Sequence, residues 1–192
     1  MAINPGVTTP IFLGSLVANG QIGPSISQFA SGLALGLFQY TQSGLTVISI
    51  DAGVLGVGTG ICPTIILPEP VLLVSLMTSL AGHGIIGPTM PLQANAIALG
   101  VSVSLALAQV QTINPLVGIG AGKLQLIPNG TGGSIFAAAF KASGMVGSMV
   151  TNLGLAVGLG LDAVIATAIG VVAIVGSPSI VPSGGVGTGV IS

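Results

Sequence analysis

The chain has 192 residues, of which 3% are charged and 51% hydrophobic, with a mean hydropathy of +1.08 and a formal net charge of −1. An ordinary soluble domain carries roughly 25% charge, so this composition excludes a free water-covered monomer, and large apolar exposure marks an interface with protein or lipid. It also excludes a disordered chain, a collagen-like repeat and, with two Lys and no Arg, a phosphate-tracking nucleic-acid surface.

Taken in order, "MAINPGVTTPIFLG" has no basic stretch ahead of its apolar run and carries Pro5, Gly6 and Pro10 within it, unlike a secretory signal. Pro10 suits the first turn of a short helix, helix A, predicted from Ile11. "IGP" at 22–24 turns the chain, and a longer helix B follows over 26–42. The next stretch, "GLTVISIDAGVLGVGTGI", is rich in β-branched residues and broken by Gly, which predicts a short strand or an extended strap. A second helix A is expected after "PEP" from Val71, a second corner at "IGP" 86–88 and a second helix B over 92–111. A third helix A, capped by Ser134, is expected from Ile135, with its corner at "VGS" 146–148 and helix B over 150–172.

These elements repeat. One shift of 64 carries "IGP" 22–24 onto 86–88 and "GLALG" 32–36 onto "AIALG" 96–100, and one shift of 124 carries both onto "VGS" 146–148 and "AVGLG" 156–160. Helix A of the second unit fits with four extra residues before its corner, about one helical turn. Each unit closes on a glycine ladder, "LGVGTG" 55–60, "VGIGAG" 117–122 and "GGVGTG" 184–189. The expected fold is therefore mainly α: one domain, 1–192, of three tandem helix-turn-helix units (about 11–70, 71–133 and 134–192), each with a Gly-rich strap, in pseudo-threefold arrangement.

Within helix B, Gly32 and Gly36, Ala96 and Gly100, and Ala156 and Gly160 stand four apart and so share a face. Such small-xxx-small strips let helices approach closely in apolar surroundings, and these three are expected to bring the long helices together.

Few residues could carry chemistry. Asp51, Glu69 and Asp162 are the only acids and His83 the only histidine, and none recurs at a matching position of another unit. Asp51 reads as a turn or cap residue, Glu69 as a linker residue and His83 as part of the four-residue insertion. Asp162 interrupts the longest apolar run and is the candidate buried polar or lumenal residue. Cys62 stands alone and reads as a small apolar residue, and the glycine ladders lack the Lys-Ser/Thr of a phosphate loop. "NGT" at 129–131 fits a glycosylation acceptor with no secretory signal to support it. No catalytic residue, cofactor or metal site is expected.

The expectation is a non-enzymatic structural protein buried in a larger symmetrical assembly, with threefold or sixfold protein partners, such as an axial hub, plug or tip of a virus tail or injection machine, with possible membrane contact. The alternative is a small membrane pore. Against a conventional membrane protein stand the absence of Trp, the single Tyr40 and the absence of a Lys/Arg bias. Gln28, Gln39 and Gln42, with Gln109 and Gln111, fit protein partners or a wet lumen better than lipid.

Overall fold

The computed structural model describes residues 4–42, 45–51, 57–61, 69–113, 119–167, 169–175 and 185–191. Cys62 and much of each strap lie outside the described residues. The first helix, α1 (Pro5–Ala18), starts six residues ahead of the expected Ile11. Asn4 Oδ1 accepts from the Gly6 N–H at 2.8 Å, which satisfies an otherwise orphaned donor, and Pro5 supplies a preset φ at the first helical position. Pro10 lies inside the helix on an exposed position, where the lost backbone bond faces solvent. The Asn-Pro start at Asn4 and Pro5 thus outweighs the later start suggested by Pro10.

The remaining helices are α2 (Ile26–Gln42), α3 (Glu69–Gly82), α4 (Met90–Leu107), α5 (Gly132–Ala142) and α6 (Ser148–Thr167). Glu69 is the first residue of α3 rather than a linker, with Pro70 in the first turn. Ser134 is not the cap of α5. It sits one turn inside, donating to the Thr131 carbonyl at 2.8 Å, while the helix begins at Gly132.

The straps form six strands: β1 (Leu45–Asp51), β2 (Val57–Ile61), β3 (Gln109–Ile113), β4 (Ile119–Ile127), β5 (Ile169–Val175) and β6 (Gly185–Ile191). The second and third long helices accordingly stop earlier than expected. The chain turns extended at Ala108, so Gln109 and Gln111 stand on β3, and the β-branched run from Ile169 forms β5 instead of prolonging α6. The sheet is antiparallel throughout in the order β1-β6-β5-β4-β3-β2, and its two edge strands, β1 and β2, touch. The described parts of the glycine ladders, from Val57, Ile119 and Gly185 on, therefore lie on β2, β4 and β6, paired with neighbours such as Gly58 opposite Thr112 and Gly122 opposite Val172.

The six helices pack in pairs, α1 with α2, α3 with α4 and α5 with α6. Each pair also packs on the next, α2 on α3, α4 on α5 and α6 back on α1, so the helices close a ring. Because each long helix runs directly into a strand, and α2 and α6 touch β1 and β4, the sheet lies at one end of this ring and the helix corners at the other. The interior is one continuous cluster in which Phe12, Leu16, Leu33, Tyr40, Leu76, Leu80, Ile97, Phe136 and Phe140 are fully buried. Each such side chain contributes about 1.5–3 kcal/mol of transfer free energy.

Candidate functional site

The corner end is where sequence, backbone and surface chemistry converge. Gly20, Gly84 and Gly144 close the short helices with φ of 76°, 80° and 82°, a left-handed conformation that a Cβ resists. At each corner the next residue bonds back into the helix: Gln21 N–H to the Leu16 carbonyl at 2.9 Å, Ile85 to Leu80 at 3.0 Å, and Met145 to Phe140 at 3.3 Å. The glycine N–H itself donates to Val17, Ala81 or Lys141 at 3.0 Å in all three cases. This paired bonding is the Schellman closure, which satisfies the last carbonyls of the helix. A second glycine, Gly23, Gly87 or Gly147, then has φ of 143°, 132° or 132° and its carbonyl accepts from the first residues of the long helix.

Helices α1 and α3 are both 14 residues long, and their closing glycines are as far apart in sequence as the two "IGP" corners. No four-residue insertion separates α3 from its corner, and His83 is the residue that follows the helix. Its Nδ1 lies 2.9 Å from the Ser79 carbonyl, a local C-terminal contact.

Between the two glycines each corner projects an apolar side chain into solvent: Ile22 is 88% exposed, Ile86 78% and Val146 91%. Behind them a cavity of about 220 Å³ is lined by Gln21, Ile22 and Phe29 of the first helix pair, Ile85 and Gln93 of the second and Leu153 of the third. All three pairs thus meet at this end. The amide nitrogen of Gln21 is buried there with no hydrogen-bond partner.

The small residues of the long helices face the short helices, not one another. A Cβ on Gly32 would lie 3.1 Å from the Leu80 Cα, and one on Gly36 3.1 Å from the Leu76 Cα, both in α3. A Cβ on Gly100 would meet the Phe136 ring of α5 at 2.7 Å, and one on Gly160 the Phe12 ring of α1 at 2.6 Å. Ala96 and Ala156 are fully buried. Two cross-helix hydrogen bonds accompany this packing: Ser79 Oγ donates to the Gly32 carbonyl and Ser15 Oγ to the Ala156 carbonyl, each at 2.7 Å.

The closest approach was not singled out from sequence. Gly154 and Gly158 of α6 lie directly on the α5 backbone, where a Cβ on Gly154 would fall 2.5 Å from both Cα and N of Ala137. The signal of this approach in the sequence is the Gly-xxx-Gly spacing of "GLAVG" 154–158, two residues ahead of the Ala156–Gly160 strip.

Asp162 stands at the opposite, strand-facing end, half-buried. Its Oδ2 accepts from the Gly132 N–H at 3.2 Å, so the carboxylate of α6 caps the N-terminus of α5. Burial raises its pKa above the usual carboxylate range, while the Gly132 hydrogen bond acts the other way. Its partner is a helix terminus, not another titratable side chain. Asp51 lies on β1 and Lys123 on β4, whereas His83 and Lys141 belong to the corner end. Among the described residues no three His, Cys, Asp or Glu gather as a metal site. Asn129 is exposed, its Oδ1 accepting from the Thr131 N–H at 3.0 Å.

Comparison with protein-family models, with curated proteins and with solved structures finds no match to this chain.

Proposed function

We propose that the chain is a non-enzymatic structural protein whose three helix-corner-helix-strand-strand units are tandem repeats about a pseudo-threefold axis. It would occupy the axis of a larger symmetrical assembly as a hub, plug or tip component, as in a virus tail or injection machine. The observation that carries this reading is the closed ring of six helices with three alike corners at one end.

Positions matched by the two sequence shifts also share their burial. Leu33, Ile97 and Val157 are all buried, as are Leu37, Val101 and Leu161 one turn on, and Tyr40, Ser104 and Val164 after that. Their spacing of four and then three residues keeps each set on the inner face of its helix. A single chain with three such units fits a threefold site, or alternate positions of a sixfold ring. Exposed Val7, Val17, Val74 and Leu159 on the helix walls favour protein neighbours over bulk water.

The alternative of an independent membrane pore draws on two helices, Met90–Leu107 and Ser148–Thr167, that are long and apolar enough to cross a bilayer, each about half buried inside the ring. Fractionation separates the two readings. Recovery in a sedimenting particle, at one copy per three or six copies of a neighbouring ring subunit, is the expected result. Extraction only by detergent, with no particle association, would refute it.

A further inference from the structure

We propose that the corner end is a lipid-docking tip that sets Ile22, Ile86 and Val146 among the acyl chains of a bilayer leaflet carrying anionic lipid. This rests on the axial reading and deepens it by naming one partner of its corner end.

Three observations support it. First, the three side chains protrude together. Ser79, late in α3, bonds to Gly32 in the corner-side half of α2, and Ser15, late in α1, bonds to Ala156 in the corner-side half of α6, so the corners are neighbours at one end of the ring. Second, they are held out by rigid backbone. The left-handed glycines and the paired closures satisfy two carbonyls at the end of each short helix, so the corner backbone is fixed in place before it meets the acyl chains.

Third, charge is sorted along the molecule. Asp51 on β1, Glu69 at the start of α3 and Asp162 late in α6 put all three acids at or toward the strand end, where Lys123 on β4 offsets one of them and the balance stays negative. The corner end carries Lys141, exposed in the last turn of α5, and His83, and no acid. An apolar protrusion ringed by neutral Gly, Pro and Ser residues and one exposed ammonium is complementary to an anionic leaflet. A protein groove offers no comparable reason for that sorting.

The absence of Trp from the chain provides a clean reporter. Full-length Ile86→Trp and Val74→Trp would each be mixed with vesicles of phosphatidylcholine, with or without about one-third phosphatidylglycerol. Val74, 63% exposed on the wall of α3, is the control for nonspecific adsorption. The expected result is a blue-shifted emission for Ile86→Trp, quenched by brominated acyl chains and stronger with phosphatidylglycerol, and none for Val74→Trp. The combined Ile22→Asn, Ile86→Asn and Val146→Asn substitutions, all at exposed positions, would lower vesicle partitioning by roughly tenfold or more. Lys141→Gln would lower it about fivefold on the anionic vesicles alone.

Equal shifts at both reporters, or no shift at Ile86→Trp in a chain whose helical circular dichroism is intact, would overturn the proposal. Particle stoichiometry is read separately, so failure on vesicles leaves the axial reading standing, and failure to join a particle leaves the tip standing.

Discussion

Substituting Gly154 by Ala tests how the helix ring is held together. The added methyl would sit 2.5 Å from Cα and N of Ala137 and 2.9 Å from the Phe136 carbonyl carbon. Comfortable contacts between such atoms are about 3.5–4.0 Å, so α5 and α6 would have to separate by roughly 1 Å. All three neighbours are backbone, and no side chain can rotate away to make room. Overpacking of this kind costs about 1–3 kcal/mol, and here the backbone constraint puts it at the upper end. Replacing a mid-helix Gly by Ala recovers about 1 kcal/mol of helix propensity. The net expectation is a loss of about 2 kcal/mol, or roughly 5 °C in Tm for a chain of this size.

Gly14 supplies the matched control. It lies within α1, exposed, and a Cβ added there would meet nothing within 4 Å. There the propensity gain is unopposed, and Gly14→Ala should raise Tm by about 2 °C. Thermal unfolding followed by the helical circular dichroism signal resolves shifts of this size and opposite sign. If Gly154→Ala is as well tolerated as Gly14→Ala, the backbone contact between α5 and α6 does not exist as described.

Two further expectations concern the corner and the half-buried Asp162. Gly84→Ala forces a Cβ into a φ of 80° and should cost about 1–2 kcal/mol, whereas Gly82→Ala, two residues earlier with open space around it, should be neutral or slightly stabilising; denaturant midpoints that move together would remove the corner's special role. Asp162 has its pKa raised in the folded chain, so its contribution to stability is complete below the ordinary carboxylate pKa and is lost as pH rises through the folded value. Asp162→Asn keeps an oxygen to accept the Gly132 N–H, and should flatten that decline and match or exceed the native chain at neutral pH. A variant that is weaker at neutral pH with an unchanged slope would mean that the negative charge itself holds the start of α5.

Much of the helical layout was legible because glycine punctuates it. The corners at 22–24, 86–88 and 146–148 were readable from "IGP" and "VGS", and the structure adds why: one glycine closes a helix and the next opens the following one. Less legible were limits decided by competing signals. Pro10 reads as a start, but Asn4 and Pro5 start α1 earlier; Ser134 reads as a cap, but α5 is capped across space by Asp162. The helical pattern of the second and third long helices runs on into β3 and β5 because apolar β-branched runs satisfy helix and strand patterns alike until cross-strand pairing decides. The strips at Gly32, Gly36, Gly100 and Gly160 were visible as small residues, but nothing in a helical period says which neighbour they meet. That depends on the ring, where each long helix is flanked by two short ones.

The ring geometry also explains how so few charges suffice. The inner face of each long helix is consumed by apolar side chains, and the interhelical grooves are filled by glycines against short-helix backbone and rings, so the helices pack closely without buried ion pairs among the described residues. What remains outward is of two kinds: helix walls carrying scattered exposed valines and leucines among neutral polar residues, and three protruding corners. On the proposed axial reading, the walls would lie against an enclosing ring of protein, with serine and glutamine side chains pairing across the contact. The corners are small, preorganised and separated from every acid. Partners that cover the exposed valines and leucines of the walls would, on the axial reading, leave the corners free at the end of the axis. On this reading a solubility defect in the isolated chain should be cured by wall partners while vesicle binding through Ile86 persists.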